Sequence, residues 1–411
     1  MHTYLLTFNI KHSLISGKQL LATASEDASV RVWNVDNSDV CCVKELRSTE
    51  SLKKQSEEEE MLRCSWSQNV SGLLAGGNSL GSVIFWDTTK EETKDQVVGR
   101  WSSDGGGSEA KKSNTKADDL EQIYVCAFCP TKGVNEILVG GEDTLREVDV
   151  ETMKTKQTWK CEAASNVSIG GDRNPEKRNY VFDSCFGFDG IVIGVATADG
   201  AVHLRDRRVN KVVASLLGHH KFATGCAFSF ANRSLVSCSG DGTVSLWDCR
   251  TWKVRAGFQA SSDSVYGCSF GSQISKAGSN SDVVFQEQIV TWASDGSVRW
   301  WEISDAVREI HSQILPNYPV YSCSLAPRNL DCRSTGTGMQ RVACGGGGNV
   351  NAPICPGWLF ELEWEVDDSS SSSCDVADAR SSRKRLRENI SREVGDENDT
   401  MECSDDEAVA V

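Results

Sequence analysis

The residues that could do chemistry are few and poorly placed for it. The chain has six histidines, and only His219 and His220 stand together. A zinc site needs converging thiolates, imidazoles or carboxylates, and a Ser-His-Asp set needs a histidine held between its two partners. No segment supplies either pattern. The nearest metal-like spacing is Cys126-Ala-Phe-Cys129. It lies in an alternating, strand-like stretch, where residues three apart point to opposite faces, so the two thiols are not placed to share one ion. Gly345 to Gly348 is a plain glycine run without the lysine and helix that a phosphate cradle requires. The reading is a protein without enzymatic activity, metal or cofactor.

Composition narrows the partners. A net charge of −15 opposes general nucleic-acid binding, which needs a basic footprint. Residues 367–411 hold 13 acidic and 6 basic residues, so a net of −7 is local to that end. No stretch approaches the roughly 18 consecutive apolar residues of a membrane span. Met1 to Ile10 has no basic region leading into a long apolar run, so neither membrane insertion nor secretion is expected. The 17 cysteines are odd in number and lack a signal peptide, which suits reduced thiols in the nucleus or cytoplasm.

The elements that must position these residues repeat along the chain. The clearest unit runs from Gly218 to Lys253, GHHKFATGCAFSFANRSLVSCSGDGTVSLWDCRTWK. It reads as short alternating strands separated by turn residues, the pattern of a small antiparallel sheet. Its Asp-Gly turn and third strand recur, ending near Trp33, Trp86, Val148, Arg205, Trp247 and Trp301, at gaps of 53, 62, 57, 42 and 54 residues. A degenerate last copy pairs VACGGGG, from Val342, with WLFELEWE, from Trp358. Cys64, Cys126, Cys226, Cys268 and Cys323 each precede a bulky apolar residue by two. A thiol at one repeated strand position is a small packing residue.

Gly218-His219 and Trp247-Asp248 bracket one repeat in a way that resembles the WD-repeat family, and the resemblance covers roughly residues 3 to 366. It implies an all-β fold: a single β-propeller, here of seven four-stranded blades, over residues 1–366. It also implies a polar network tying His219, Asp241, Trp247 and either Ser237 or Ser239. At the Asp position the other repeats read Asp27, Leu80, Glu142, Asp199 and Asp295, and none has a matching histidine. Only the fifth repeat is therefore expected to be fully stapled, the ring leaning otherwise on packing and closure. Tyr4 to Ile10 reads as the first strand of the first blade rather than the last strand of the seventh.

A glycine-, lysine- and acid-rich insertion at 104–119 is expected to be a mobile loop. A disordered, serine-rich acidic tail is expected at 367–411. In the tail Arg383, Lys384, Arg385 and Arg387 resemble a nuclear-import cluster, which favours the nucleus slightly over the cytoplasm. Ser404, followed by Asp405, Asp406 and Glu407, resembles an acidophilic kinase site. The function expected is a non-catalytic interaction scaffold binding several proteins through the propeller rim and channel mouth. One alternative is a substrate receptor of a cullin-4 ubiquitin ligase, because Trp247, Asp248 and Arg250 resemble the WDxR box that docks on the ligase adaptor. Leu204 to Arg208 resembles a partial second box. A second alternative is a histone or phosphopeptide reader.

Overall fold

A computed structural model describes residues 7–365 apart from 16, 36–40, 48–58, 92–95, 104–120, 163–178, 188, 230–232, 277–282, 304–306, 316–318, 326–336 and 347–357. The 104–119 insertion and the 367–411 tail therefore lie outside the described residues. The described chain is all strand and turn. Strands β1 to β27 fall into seven antiparallel meanders, each a radial blade of a propeller.

Blade 1 is β1 (Thr7–Ile15), β2 (Lys18–Ser25), β3 (Ser29–Asn34) and β4 (Cys41–Arg47). Blades 2 to 6 follow in the same order, four strands each, over residues 61–102, 123–160, 181–217, 223–259 and 265–314. The last sheet is β25 (Val320–Leu325), β26 (Thr337–Gly346) and β27 (Trp358–Glu365). The expectation of seven four-stranded blades is corrected here: six sheets have four strands, and the seventh has three among the described residues. The strand that could have completed it from the other end of the chain, β1, is hydrogen-bonded to β2 within blade 1.

One register runs through the ring. A leucine or isoleucine of the second strand faces the Trp position of the third: Leu21 and Trp33, Leu74 and Trp86, Ile137 and Val148, Ile193 and Arg205, Leu235 and Trp247, Ile289 and Trp301. Every first strand bulges after its first paired residue. Each fourth strand bulges opposite the Trp position. Bulges strengthen local twist and interrupt the ladder. The outer six bend the exposed edges of the blades, which keeps those edges from pairing with other chains.

The core lies between blades. Ala22, Val30 and Val32 of blade 1 pack on Met61, Cys64, Trp66 and Trp86 of blade 2, and Val236 and Leu246 of blade 5 on Cys268, Phe270 and Trp301 of blade 6. The thiols of Cys64, Cys126, Cys226, Cys268 and Cys323 are buried at these interfaces, one residue past the first-strand bulge. Burial pushes the Cys64 and Cys126 thiols up to about 12, as suits inert packing groups.

The ring closes face to face. Ile10, Leu21 and Val35 of blade 1 bury against Ala343 of the seventh sheet. The Ser322 hydroxyl on β25 accepts from the Ile10 N–H at 3.2 Å and the Asn9 side-chain amide at 3.3 Å. Asn9 in turn accepts from the Cys64 N–H at 3.1 Å, and Asp183 accepts from the Cys226 N–H at 3.2 Å. A side chain beside one bulge thus caps the N–H beside the next. Ser322→Ala strands two buried donors and should lower stability by about 1–3 kcal/mol, read as a shift of the urea midpoint at constant slope. An unchanged midpoint would mean that closure does not depend on this bond.

Candidate functional site

The polar set in blade 5 sits where the second and third strands, β18 (Ser234–Ser239) and β19 (Thr243–Asp248), meet the loop from blade 4. Trp247 Nε1 donates to Ser237 Oγ at 2.9 Å, and His219 Nε2 lies 2.8 Å from the same oxygen. His219 Nδ1 lies 2.9 Å from Thr243 Oγ1, which donates to Asp241 Oδ1 at 2.6 Å. One direction of donors satisfies the whole chain: indole to serine, serine to a neutral imidazole, imidazole to threonine, threonine to carboxylate. Ser239 stands apart, accepting from the Asp241 N–H at 3.1 Å, so Ser237 is the hydroxyl that meets Trp247.

Burial pulls the His219 imidazole below its usual range, against the attraction of Asp241. Burial also opposes the charge on Asp241, but hydrogen bonds from Thr243 and the His220 N–H outweigh it and hold the carboxyl down at about 2. Every nitrogen of His219 is engaged with a structural partner. No hydroxyl beside it is left facing an open cleft.

Other blades tie their turn aspartates through different pairings. In blades 1, 4 and 6 the turn aspartate meets a cation or imidazole four residues on: Asp27 with Arg31 at 2.5 Å, Asp199 with His203 at 3.1 Å, Asp295 with Arg299 at 3.2 Å. His203 also reaches Ser215 at 2.9 Å across to the fourth strand. The Trp33 and Trp301 indoles donate to Thr23 and Thr291, each at 3.0 Å. In blade 2, where Leu80 fills the aspartate position, Asn78 accepts from the Leu80 and Ser82 N–H groups at 3.1 and 2.8 Å. Its Trp86 indole is buried without a partner, because Gly76 stands where blade 5 has Ser237, and a Cβ there would come within 2.7 Å of the ring.

The turns between third and fourth strands carry the predicted docking residues. Asp248 accepts from the Arg250 N–H at 2.7 Å, and the Arg250 guanidinium, 85% exposed, lies 3.4 Å from the carboxylate. Trp247, by contrast, is buried in the interface with blade 4. One blade earlier, Asp206 accepts from the Arg208 N–H at 2.9 Å and pairs with its guanidinium at 2.6 Å. The Arg208 hydrogen bonds hold the Asp206 carboxyl down at about 2.

Arg207 turns inward instead. It bonds the Glu136 and Glu147 carboxylates of blade 3 and donates to the Gly190 carbonyl at 2.7 Å. In blades 3, 4 and 5 the last residue of this turn is left-handed without being glycine: Met153, Asn210 and Trp252. Each reaches the preceding blade. Met153 joins the core between blades 2 and 3, Asn210 takes the Trp159 indole N–H, and Trp252 packs with Ala214 and Trp247. These side chains, and His203, were missed by sequence reasoning. The spacing Asp-x-x-x-Arg/His was a visible signal for the aspartate pairs.

The inner strands of all seven sheets line a central channel of about 1050 Å³. Its charged residues are Lys11, Arg63 and Asp183. Arg63 spans the mouth, donating to the Tyr124 carbonyl at 2.5 Å and the Phe182 carbonyl at 3.3 Å. Enclosure raises the Asp183 carboxyl despite the nearby Arg63 and Lys11 cations. Cys126 and Cys129 part company: Cys126 packs toward blade 2, and Cys129 lies 3.7 Å from Arg207 on the side of blade 4. Arg383, Lys384, Arg385, Arg387 and Ser404 lie outside the described residues.

Known proteins share this arrangement in parts. The WD domain, G-beta repeat model matches residues 12–34 and 210–248. Over 67 residues, 16% of the chain, the sequence is 39% identical to Topless-related protein 3 of Arabidopsis thaliana, a match covering 6% of that protein. Over 298 residues, 70% of the chain, it is 22% identical to Autophagy-related protein 16 of the same plant, covering 56% of it. Over 144 residues, 33% of the chain, it is 27% identical to the WD repeat-containing protein 55 homolog of Drosophila virilis, covering 26% of it. The chain thus spans between 6% and 56% of the length of these relatives. The matched repeats and the relatives that carry such repeats support a WD-repeat family for this β-propeller chain. Propellers of this class generally bind other proteins.

Because His219 is held neutral, the unfolded chain binds a proton there more readily than the folded one below about pH 6.5. The stability from this group is present above that pH and is lost as pH falls toward the lowered folded value. His219→Ala should destabilise by about 1–3 kcal/mol at pH 7.5, and the gap from wild type should shrink toward pH 5.5 in urea titrations. A gap that widens toward acid would overturn the neutral imidazole.

Proposed function

We propose that this chain is a non-catalytic protein-interaction scaffold, a subunit of a larger assembly that holds partners on its rim and channel mouth. One observation carries the reading: the polar sets that resemble catalytic ones are consumed by the frame, and what remains outward is contact surface. His219, His203, Asp199 and Asp241 each bond turns, indoles or neighbouring strands. Arg208, Arg250, Val209 and Val254 stand exposed past the opposite ends of the third strands. An enzyme would spend its titratable groups the other way, leaving a nucleophile or base free in a cleft.

A second reading has its own support. The Asp206–Arg208 turn reproduces the Asp248–Arg250 turn on the adjacent blade, so the partial box and the full WDxR box present the same Asp-x-Arg geometry. Two projecting guanidiniums suit docking on a cullin-4 ligase adaptor through charge-assisted bonds.

Affinity purification from native cells with mass spectrometry tests both, comparing wild type with Arg208→Ala/Arg250→Ala. The scaffold reading expects a stable set of co-purifying proteins, and recovery of the chain alone would overturn it. The receptor reading expects the adaptor among them and its loss in the double variant. Both arginines are exposed, so the fold should be unchanged in either case.

A further inference from the structure

The outer wall of blades 4 and 5 differs in chemistry from the walls around it. Its strands are β16 (Lys211–Leu217) and β20 (Lys253–Gln259), and neither contains an acidic residue. Val212, Val213 and Leu217 on β16 are 45%, 48% and 55% exposed; Val209 in the turn before it is 55% exposed, and Val254 on β20 is 51% exposed. Lys211, Lys253 and Arg255 are exposed among them, and no carboxylate pairs with these three among the described residues. Arg208 and Arg250 flank the lower edge, each with its own aspartate. The two strands are linked where Ala214 of β16 and Trp252 of the turn before β20 share one cluster with Trp247.

The other outer strands show less: β4 and the outer strand of blade 6 expose Val43 and Ile314 but carry acids of their own, and β8 (Val97–Ser102) is acid-free but exposes only Val98, beside a partly buried Arg100. On β4, Glu45 pairs with Arg47 at 2.7 Å. On β24 (Val307–Ile314), Glu309 faces Arg299 at 3.8 Å. β12 (Lys154–Lys160) is basic, but its exposed side chains are lysine and threonine, with Trp159 buried. A cluster of exposed valines and a leucine within unbalanced cations, on a protein of net charge −15, marks a contact surface rather than a solvated face.

We infer that this wall docks an acidic, apolar polypeptide segment of a partner protein, an inference that rests on the scaffold reading above. Charge complementarity selects the acid, and the valines and Leu217 select the apolar side chains. A second copy of this chain docking through the same wall would present the same cations and be repelled. Addition of a long extra strand is obstructed, because Val213 and Arg255 are themselves the bulged residues of β16 and β20. Recognition therefore runs through side chains, with apolar anchors on the valines and carboxylates on Lys211, Lys253 and Arg255. A nucleic acid would use the cations but leave the apolar side chains without a role.

Fluorescence anisotropy of the full chain tests this with a labelled peptide of alternating leucine and glutamate, the same peptide with lysine for glutamate, and an oligouridylate. The leucine–glutamate peptide should bind, and the lysine version should not. Lys253→Glu/Arg255→Glu and, separately, Val213→Thr/Leu217→Gln should each weaken binding at least about tenfold without lowering the melting temperature. Equal binding of the two peptides, or wild-type affinity in either variant pair, overturns the inference. So does an oligouridylate that binds tighter and responds only to the charge reversal. The two readings fail separately: if cells yield a stable partner set that these wall variants do not disturb, the scaffold stands and the wall does not.

Discussion

The contact between the first and last blades is the constraint on which the rest depends. Radial sheets bury their faces only against neighbours, so one open seam would expose two apolar faces at once. Many propellers guard that seam with a shared strand. Here β1 stays in its own blade, and the seam is held by Ile10, Leu21 and Val35 against Ala343 and by the Ser322 hydroxyl. The bulges make such bonds available. Each inner bulge interrupts the ladder at one position, and at three of them a neighbouring side chain caps an N–H, as Ser322 does for Ile10, Asn9 for Cys64 and Asp183 for Cys226.

Closing the ring determines what the polar residues can do. Turn aspartates are tied down in four different blades, by Arg31, His203, Arg299 or the His219–Thr243 pair. Left-handed residues and Arg207 fasten successive blades from the outside. Such strained non-glycine turns are kept where surrounding packing over-determines them, and the backward contacts of Asn210 and Trp252 do that. The result is a frame in which these turn residues are committed to structural partners.

Much of the frame could be read from sequence, and the reasons are local. An Asp-Gly turn followed by an alternating strand fixes a hairpin register, so the third strands ending at Arg205, Trp247 and Trp301 were found directly, and the closing tryptophan marked those ending at Trp33 and Trp86. The repeated thiol marked the first strands. Val148 has neither the Asp-Gly turn nor the tryptophan and was placed by analogy, yet it occupies the same register. What escaped depends on three-dimensional neighbours. A bulge has no residue signature, Met153 and Trp252 carry no hint of positive φ, and Arg207 differs from Arg208 only in which way it turns. His203 escaped because histidine was sought in the loop, where blade 5 has it, and not on the strand. The three-stranded seventh sheet was hidden because its strands are degenerate and far apart in sequence.

If closure makes the ring one cooperative unit, native-state hydrogen exchange of the full chain will show it. Amides of β1 and of β25–β26 should exchange only through the same opening that exposes β18 and β19 in blade 5, with a common free energy and denaturant slope. Faster exchange of β1 and β25–β26 while β18 and β19 stay protected would mean that the seam opens on its own. The ring would then not be held shut by the contact between its first and last blades.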